Sequence, residues 1–188
     1  MTILRGPVQR IGAIPASIIT GQVPVANGGT GASTAQGAQA NLKGVYILSS
    51  GGVQVSHTGD TNEFTLATIT VPANAMGANG AIRVTATWSN NNSATGKTFR
   101  IKFGGNNYIS GTATTNICTR AQTEIHNRNA TNSQVGGFSA ASGFGGSTTL
   151  ITSAVDTTSA VTILITGQLA LLTDTVSLEN YLVELIVP

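Results

Sequence analysis

Three clusters of polar, hydrogen-bonding side chains lie in loops that the sequence predicts between strands. Loops on a rigid scaffold are the usual place for binding residues. An amide donates and accepts hydrogen bonds, and an aromatic ring adds a flat apolar face, so the combination suits a sugar. For any single Asn, the simpler explanation is that Asn tolerates turn dihedral angles. The candidate binding residues are Asn90, Asn91, Asn92, Asn106, Asn107, Tyr108, His126, Asn127, Arg128 and Asn129.

Residues that could support catalysis are few, because the chain has only seven acidic residues. Asp60 and Glu63 could be proposed as the facing carboxylates of a glycosidase. An Asx-turn after Gly59 is the better explanation, since Asp strongly favours turns. No GxSxG motif supports a serine nucleophile. The sequence therefore predicts no enzyme.

Metal-binding and cofactor-binding residues are equally scarce. His57 and His126 are the two histidines of the chain, too few for a zinc site without help from Cys or acidic residues. Copies of one His could hold an ion on a symmetry axis, but the absence of a His-x-His pair favours turn-flanking or surface positions. The single cysteine, Cys118, lies in a strand-like run, which predicts a small core residue. We expect no metal and no cofactor.

The glycine-rich stretch "PVANGGTGAST", Pro24 to Thr34, could cradle a phosphate or let chains pack closely as they turn. It lacks the Lys-Ser/Thr pair of a P-loop. A dinucleotide fingerprint would need alternating strands and helices around it, which are absent. The remaining interpretation is an assembly elbow, because glycine allows close backbone approach and unusual dihedral angles.

The composition excludes two classes of partner. Charged residues make up 9% of the 188 residues and the formal net charge is +2, against about 25% charged residues in an average globular chain. The basic residues are spread along the chain and form no patch of the kind that binds nucleic acid. No apolar run is long enough to span a membrane. We therefore expect no nucleic-acid partner and no membrane insertion.

The elements that must position these residues are strands. "AIRVTATW" and "KTFRIKF" alternate apolar and polar residues, and "NYLVELIV" is apolar on both faces, which predicts a central strand or a subunit contact. In "EFTLATITV" the apolar phase shifts near Ala67, which predicts a bulge. Turn signals separate these runs. Residues 45–188 therefore predict an all-β fold, an antiparallel, jelly-roll-like β-sandwich.

Residues 1–44 follow a different pattern. Prolines interrupt residues 1–32, which predicts an extended apolar arm that must lie on a partner or on copies of itself. Residues 33–44 predict a short helical neck, capped at Ser33 or Thr34 and ended by Gly44, with a narrow stripe of small residues. Both segments lack partners within one chain, so we expect them to pack on a partner protein or on copies of the same chain. The candidate assembly residues are Ile11, Ile14, Ile18, Val23, Val25, Gly28, Gly29, Gly31, Ala35, Ala38 and Leu42.

The run "GAIPASIITGQVPVANGGTGASTAQGAQANLKG", residues 12–44, resembles the linker of tailed-bacteriophage tail-fibre proteins, in which such a run precedes a short helix and a β-rich tip. Lys43 departs from that pattern, which often places glycine directly after leucine. Residues 57–89 also resemble β-sandwich domains that recur in phage virion proteins. The resemblance implies a homotrimer and a location in the virion, which is extracellular after assembly in the host cytoplasm.

Two functions follow from the resemblance. In the first, the arm attaches to other virion proteins of the tail, baseplate or capsid, and the sandwich loops bind a host-surface glycan or protein. In the second, the chain is a head fibre, decoration protein or baseplate component with no receptor of its own. A clustered aromatic groove would favour the first, and the chain has only three Tyr and one Trp.

Overall fold

The computed structural model describes residues 29–34, 37–38, 41–137 and 150–188. The chain divides into two compact units, with the boundary between Leu42 and Lys43. Seven of the candidate assembly residues lie outside the described residues. They are Ile11, Ile14, Ile18, Val23, Val25, Gly28 and Ala35.

In the first unit, Thr34 caps a short helical turn. Its Oγ1 accepts a hydrogen bond from the Gly37 N–H at 3.0 Å, and its carbonyl accepts from the Ala38 N–H at 2.9 Å. The Leu42 N–H donates to the Ala38 carbonyl at 3.0 Å. A hydroxyl at the N-cap satisfies a backbone donor that the helix itself cannot pair. The predicted cap is therefore Thr34 rather than Ser33.

The glycines around this turn have different roles. Gly31 adopts a φ of 66°, a left-handed conformation that favours glycine, whereas Gly29 is not among the residues with positive φ. Gly44 does not end the helix as predicted. It is the first residue of the first strand of the second unit, where it lies opposite Val187. Strand pairing, rather than a helix end, therefore determines the position of Gly44.

The second unit is all-β and consists of two antiparallel sheets packed face to face, which confirms the predicted β-sandwich. One sheet has the order β1-β11-β4-β7-β8-β9, with β2 also pairing β11, and the other has the order β3-β10-β5-β6. The strands are β1 (Gly44–Gly51), β2 (Val55–Thr58), β3 (Phe64–Val71), β4 (Ala81–Asn90), β5 (Lys97–Phe103), β6 (Asn106–Ala113), β7 (Cys118–Asn127), β8 (Gln134–Gly136), β9 (Ile151–Ser153), β10 (Val161–Leu169) and β11 (Thr175–Val187).

Alternation along the strands correctly predicts the core. The inward residues of β4 and β5 are fully or almost fully buried, and the Trp88 and Phe99 rings lie 5.3 Å apart between the sheets. Strand β11 is central, between β4 on one side and β1 and β2 on the other. The predicted bulge is also confirmed, because Leu66, next to Ala67, interrupts the β3–β10 register.

Most of the connections that the structure describes lie at two opposite ends of the sandwich. One end, which we call the terminal end, carries both chain ends of the unit, since Gly44 pairs with Val187 there, together with loops 72–80, 104–105, 128–133 and 154–160. The opposite end, which we call the far end, carries loops 59–63, 91–96, 114–117 and 170–174.

Candidate binding surfaces at the two ends of the sandwich

The candidate binding residues divide between the two ends. Asn90, Asn91 and Asn92 lie at the far end, and the other seven lie at or near the terminal end. Strand β5 alone places seven residues between the ends, a separation of about 20 Å. The ten residues therefore do not form a single site within one chain.

Tyr108, predicted as a contact residue, is a core residue with 1% of its surface exposed. Its ring packs edge-on against Phe103 with the centroids 6.2 Å apart, and its hydroxyl lies 2.6 Å from the Ser153 Oγ. Burial raises the pKa of the Tyr108 hydroxyl. The prediction was wrong for Tyr108, because alternation along β6 turns this side chain inward.

Asn127 is also buried, within a group of uncharged side chains that closes the terminal end. Its Nδ2 donates to the Gly77 carbonyl at 2.6 Å and to the Thr157 Oγ1 at 3.0 Å, while its Oδ1 accepts from the Gln134 Nε2 at 2.8 Å. With all these bonds made inside the protein, Asn127 is structural and the prediction of a contact role was wrong. This terminal-end network consists of Tyr108, Asn127, Gln134, Ser153 and Thr157.

Gln134 is the centre of the terminal-end network and was missed by sequence reasoning. It is fully buried. Its Oε1 accepts from the Ser153 Oγ at 3.0 Å and from the Val155 N–H at 2.8 Å, and its Nε2 donates to the Val155 carbonyl at 3.0 Å. No local pattern marks it, since two of its partners, Ser153 and Val155, lie about twenty residues further along the chain.

Four candidate residues are exposed at the terminal end: Asn106, Asn107, Arg128 and Asn129. The Asn106 Nδ2 donates to the Gly104 carbonyl at 3.3 Å within the β5–β6 turn. Asn129 has a φ of 55°, a turn conformation that Asn tolerates. The simpler turn explanation therefore accounts for these two, and Asn107 and Arg128 stay candidates.

His126 lies on the outer face of the larger sheet, within a charged group spanning three strands. Its Nε2 is 3.1 Å from the Glu124 Oε2. The Arg83 Nε is 2.7 Å from the Glu124 Oε1, and the Arg83 Nη1 is 3.4 Å from the Glu184 Oε2. The hydrogen bond from Arg83, assisted by His126, holds the pKa of the Glu124 carboxyl below its usual value. His126 therefore has a partner in the sheet and remains half-exposed.

At the far end, the side chains of Asn90 and Asn91 hold the loops together. Asn90 is 8% exposed and its Nδ2 donates to the Asn116 carbonyl at 2.6 Å. The Asn91 Nδ2 donates to the Asp174 Oδ1 at 2.8 Å, and its Oδ1 accepts from the Thr175 N–H at 2.8 Å. The prediction of contact roles was wrong for the buried Asn90, and the Asn91 amide is used internally. Asn92 is exposed.

A buried ion pair lies beneath these loops. Lys97 is fully buried, and its Nζ is 3.6 Å from the Asp174 Oδ2. The ammonium also donates to the Ser93 carbonyl and Oγ and to two further carbonyls, those of Thr95 at 3.0 Å and Thr114 at 3.1 Å. Buried charges persist where partners replace the lost water, and the ammonium has such partners on several sides.

Asp174 is the matching anion, with 2% of its surface exposed. Its carboxylate accepts from the Asn91 amide and the hydroxyls of Thr95 and Ser93. These bonds, with the charge of Lys97, lower the pKa of Asp174 to about 2. The far-end network consists of Asn91, Ser93, Thr95, Lys97 and Asp174.

The outward surface of the far-end loops is polar but carries little charge. Its exposed apolar side chains are Ile117, Leu171 and Leu172, exposed by 62%, 43% and 55%. Beside them the half-exposed Phe64 ring stacks on His57, with centroids 4.5 Å apart. His57 is buried and lies next to the last residue of β2, so of the two predicted positions it has the turn-flanking one and not the surface one. The exposed hydroxyl and amide residues of these loops are Thr61, Asn62, Asn91, Asn92, Thr114, Thr115, Asn116 and Thr173.

The carboxylates considered for catalysis are engaged in structural bonds. The Asp60 Oδ1 accepts from the Asn62 N–H at 2.8 Å, which confirms the predicted Asx-turn. Burial raises the pKa of the Glu63 carboxyl, but hydrogen bonds from Lys102 and Thr166 and the nearby positive charges together lower it by more. The pKa of Glu63 is therefore below its usual value. In the described part of the chain, no group of three or more His, Cys, Asp or Glu residues could hold a metal ion.

Cys118 is exposed, so the prediction of a core position was wrong. It begins β7 opposite Ser89. Because the neighbouring Trp88 points inward, Ser89 and its partner Cys118 lie on the outer face. The pairing of Cys118 with Ser89, rather than its apolar neighbour Ile117, therefore decides that the cysteine side chain is exposed.

Comparisons with known proteins give little further guidance. No protein-family model matches the chain, and no curated protein matches it. Among solved structures, the CBM2 module of the Lactobacillus casei BL23 phage J-1 evolved Dit is similar with a TM-score of 0.31 and 11% identity, over 62% of this chain and 67% of that one. A TM-score of this size does not establish a shared fold. Among the described residues, no helix has the length and apolarity needed to cross a membrane.

Proposed function

We propose that this chain is a structural protein of a tailed-bacteriophage virion, a short trimeric tail fibre whose β-sandwich loops bind a host-surface receptor, preferably a glycan. The observation that carries the proposal is the order of segments. The "PVANGGTGAST" run is followed by a helical turn capped by Thr34 and then by an antiparallel sandwich. The tail-fibre proteins that the sequence resembles have this order.

A homotrimer is supported by apolar surface that one chain leaves exposed. In the second unit, Val45 and Ile47 of β1 are 55% and 68% exposed, and on the outer face of the larger sheet Val45 lies opposite Ile186 and Ile47 opposite Glu184. In the first unit, the neck residue Leu42 is 47% exposed. Apolar side chains that one chain leaves exposed in each unit favour contacts between proteins, and a second copy of the chain is the occupant we propose.

The N-terminal arm would attach the trimer to tail, baseplate or capsid proteins during assembly in the host cytoplasm. Its apolar, proline-interrupted sequence supports this role, because such a segment needs a surface to lie on. In the virion the sandwiches would then be extracellular. Several identical binding sites on one fibre would add avidity, so each single site can be weak.

Two measurements test this proposal with the full chain. Light scattering should give the mass of three 19.0-kDa chains. Labelled protein should bind a strain from a panel of candidate host bacteria saturably, and unlabelled protein should block phage adsorption to that strain. A monomer in solution would contradict the trimer, and a trimer that neither binds nor competes on an infected strain would contradict the receptor function.

A trimer that neither binds cells nor blocks adsorption would favour a head fibre, decoration protein or baseplate component. One observation favours this alternative. Among the residues that the structure describes, none of the three Tyr residues and the single Trp is exposed, and Phe64 is the one exposed aromatic side chain, so these residues form no cluster of exposed rings of the kind common in sugar recognition.

A further inference from the structure

We propose that the far end of the sandwich is the receptor-binding face, and that its ligand is an uncharged, hydroxyl-rich glycan. This inference rests on the proposed function and adds to it the face and the ligand class. Three independent features of the far end support it: its position relative to the chain ends, the rigidity of its loops and the chemistry of its surface.

The first feature is position. Strand β1 enters the sandwich at the terminal end and β11 leaves it there, paired through Gly44 and Val187. The far-end loops are therefore separated from both chain ends of this unit by the length of the strands. A fibre must keep the chain end that anchors it clear of its receptor, and the far end meets this requirement.

The second feature is rigidity. The far-end network ties three of the four loops together, because Lys97 bonds to carbonyls in loops 91–96 and 114–117, and Asp174 belongs to loop 170–174. A buried ion pair is weak evidence for stability, since desolvation offsets most of the attraction. Loops ordered in advance lose less entropy when they bind. We therefore assign the far-end network the role of fixing loop geometry.

The third feature is chemistry. The four far-end loops contain no Lys, Arg or His. Their two exposed acidic residues are already engaged, Asp60 by its own turn and Glu63 by Lys102 and Arg100. An anionic sugar or phosphate would find no cation in these loops. The remaining surface alternates hydroxyls and amides with the aliphatic groups of Leu171 and Leu172, which matches the hydroxyl and C–H faces of a neutral sugar.

The test compares matched surface variants of the full chain. Asn92→Ala combined with Leu172→Ala truncates exposed far-end side chains, and Asn107→Ala combined with Arg128→Ala does the same at the terminal end. Each protein is titrated onto the adsorbing strain and onto an array of neutral and acidic bacterial polysaccharides. Melting curves establish that both variants fold as the parent does.

We expect the far-end variant to lose affinity for cells and for neutral polysaccharides by about tenfold, which corresponds to about 1.4 kcal/mol. The terminal-end variant should bind as the parent does. Periodate oxidation of the cells should abolish binding, and binding should persist at high salt because no charge pairs are involved.

Other outcomes overturn the inference and leave the proposed function standing. They are an unchanged far-end variant, a loss confined to the terminal-end variant, binding to acidic polysaccharides alone, or binding abolished by protease but not by periodate. If the parent binds neither cells nor polysaccharides, the proposed receptor function and this inference both fail.

Discussion

The two ends of the sandwich are closed by buried polar groups of different kinds. At the terminal end, Asn127 and Gln134 join loops through uncharged amides and hydroxyls. At the far end, a fully buried ammonium and a carboxylate do the same. In a chain with only 9% charged residues, burying one such pair is a large departure from the general composition.

The difference shows two ways of fixing loops on the same scaffold. Neutral amides lose little on leaving water when every hydrogen bond is replaced. An ion pair loses much more, and each ion depends on the other. The terminal-end network should therefore tolerate loss of a member better, and only the far-end network should respond to acid. The following predictions test this contrast, from the largest expected effect to the smallest.

The largest effect is expected from Lys97→Met. The substitution keeps the apolar stem but leaves the Asp174 carboxylate buried without its counter-ion. We expect the free energy of unfolding to fall by about 3–5 kcal/mol, the usual cost of breaking a buried pair. Urea unfolding at neutral pH measures it, and a loss below about 1 kcal/mol would show that the ion pair does not hold the far end.

The control for this prediction is the double variant Lys97→Met with Asp174→Asn. It removes both charges while an amide keeps an oxygen for the Asn91 donor. Because no unpaired charge remains, the double variant should regain part of the stability that Lys97→Met loses. A double variant less stable than the single one would indicate that hydrogen bonds to Asp174, rather than its charge, hold the loops.

A smaller loss is expected at the terminal end from Gln134→Leu. The change leaves the Asn127 Oδ1 and the Val155 N–H buried without their partner, at a cost of about 1–3 kcal/mol. The exposed Asn132 on the same turn provides a control, and Asn132→Ala should change stability by less than about 0.5 kcal/mol. If Gln134→Leu lowers the free energy of unfolding by more than Lys97→Met does, the terminal-end network is the more sensitive of the two, which contradicts the prediction.

Sequence reasoning reached the fold because strand alternation is local. The phase of "KTFRIKF" places Phe99, Ile101 and Phe103 inward, as observed. The same phase places Lys97 inward, so the buried ammonium could have been predicted. A charged residue in the inward register of a strand is a signal for a buried partner.

The candidate site was less predictable, because it depends on which distant segments meet. Asn90 and Asn127 look alike in sequence, as amides beside turns. The strand order places them at opposite ends. Partners distant in sequence, Asn116 for Asn90 and Thr157 for Asn127, accept hydrogen bonds from their buried amides. By contrast, Asp60 forms its predicted Asx-turn within three residues, which is why that prediction succeeded.

Acid should separate the two networks. The pKa of Asp174, lowered from 3.8 to about 2, means that its charge contributes stability fully above pH 3.8 and that this contribution is lost as pH falls through 2. The urea midpoint of the parent should therefore fall more steeply between those pH values than that of the double variant lacking both charges. Gln134→Leu should keep the slope of the parent, and a flattened slope in Gln134→Leu would mean that the terminal-end network also titrates.

The smallest effect is expected on the outer face of the larger sheet, where Arg83 bridges Glu124 and Glu184 without being buried. Its side chain is 31% exposed, so water screens these pairs and the entropy of ordering long side chains offsets much of the attraction. Arg83→Met should cost at most about 1 kcal/mol in urea unfolding, and the difference from the parent should shrink at about 1 M salt, where screening is nearly complete. Lys97→Met should keep most of its effect at that salt concentration, because salt does not reach the buried pair. If salt reduces the stability losses of Arg83→Met and Lys97→Met equally, burial does not protect the Lys97–Asp174 pair from screening, and the far-end pair does not differ from the exposed pairs of Arg83.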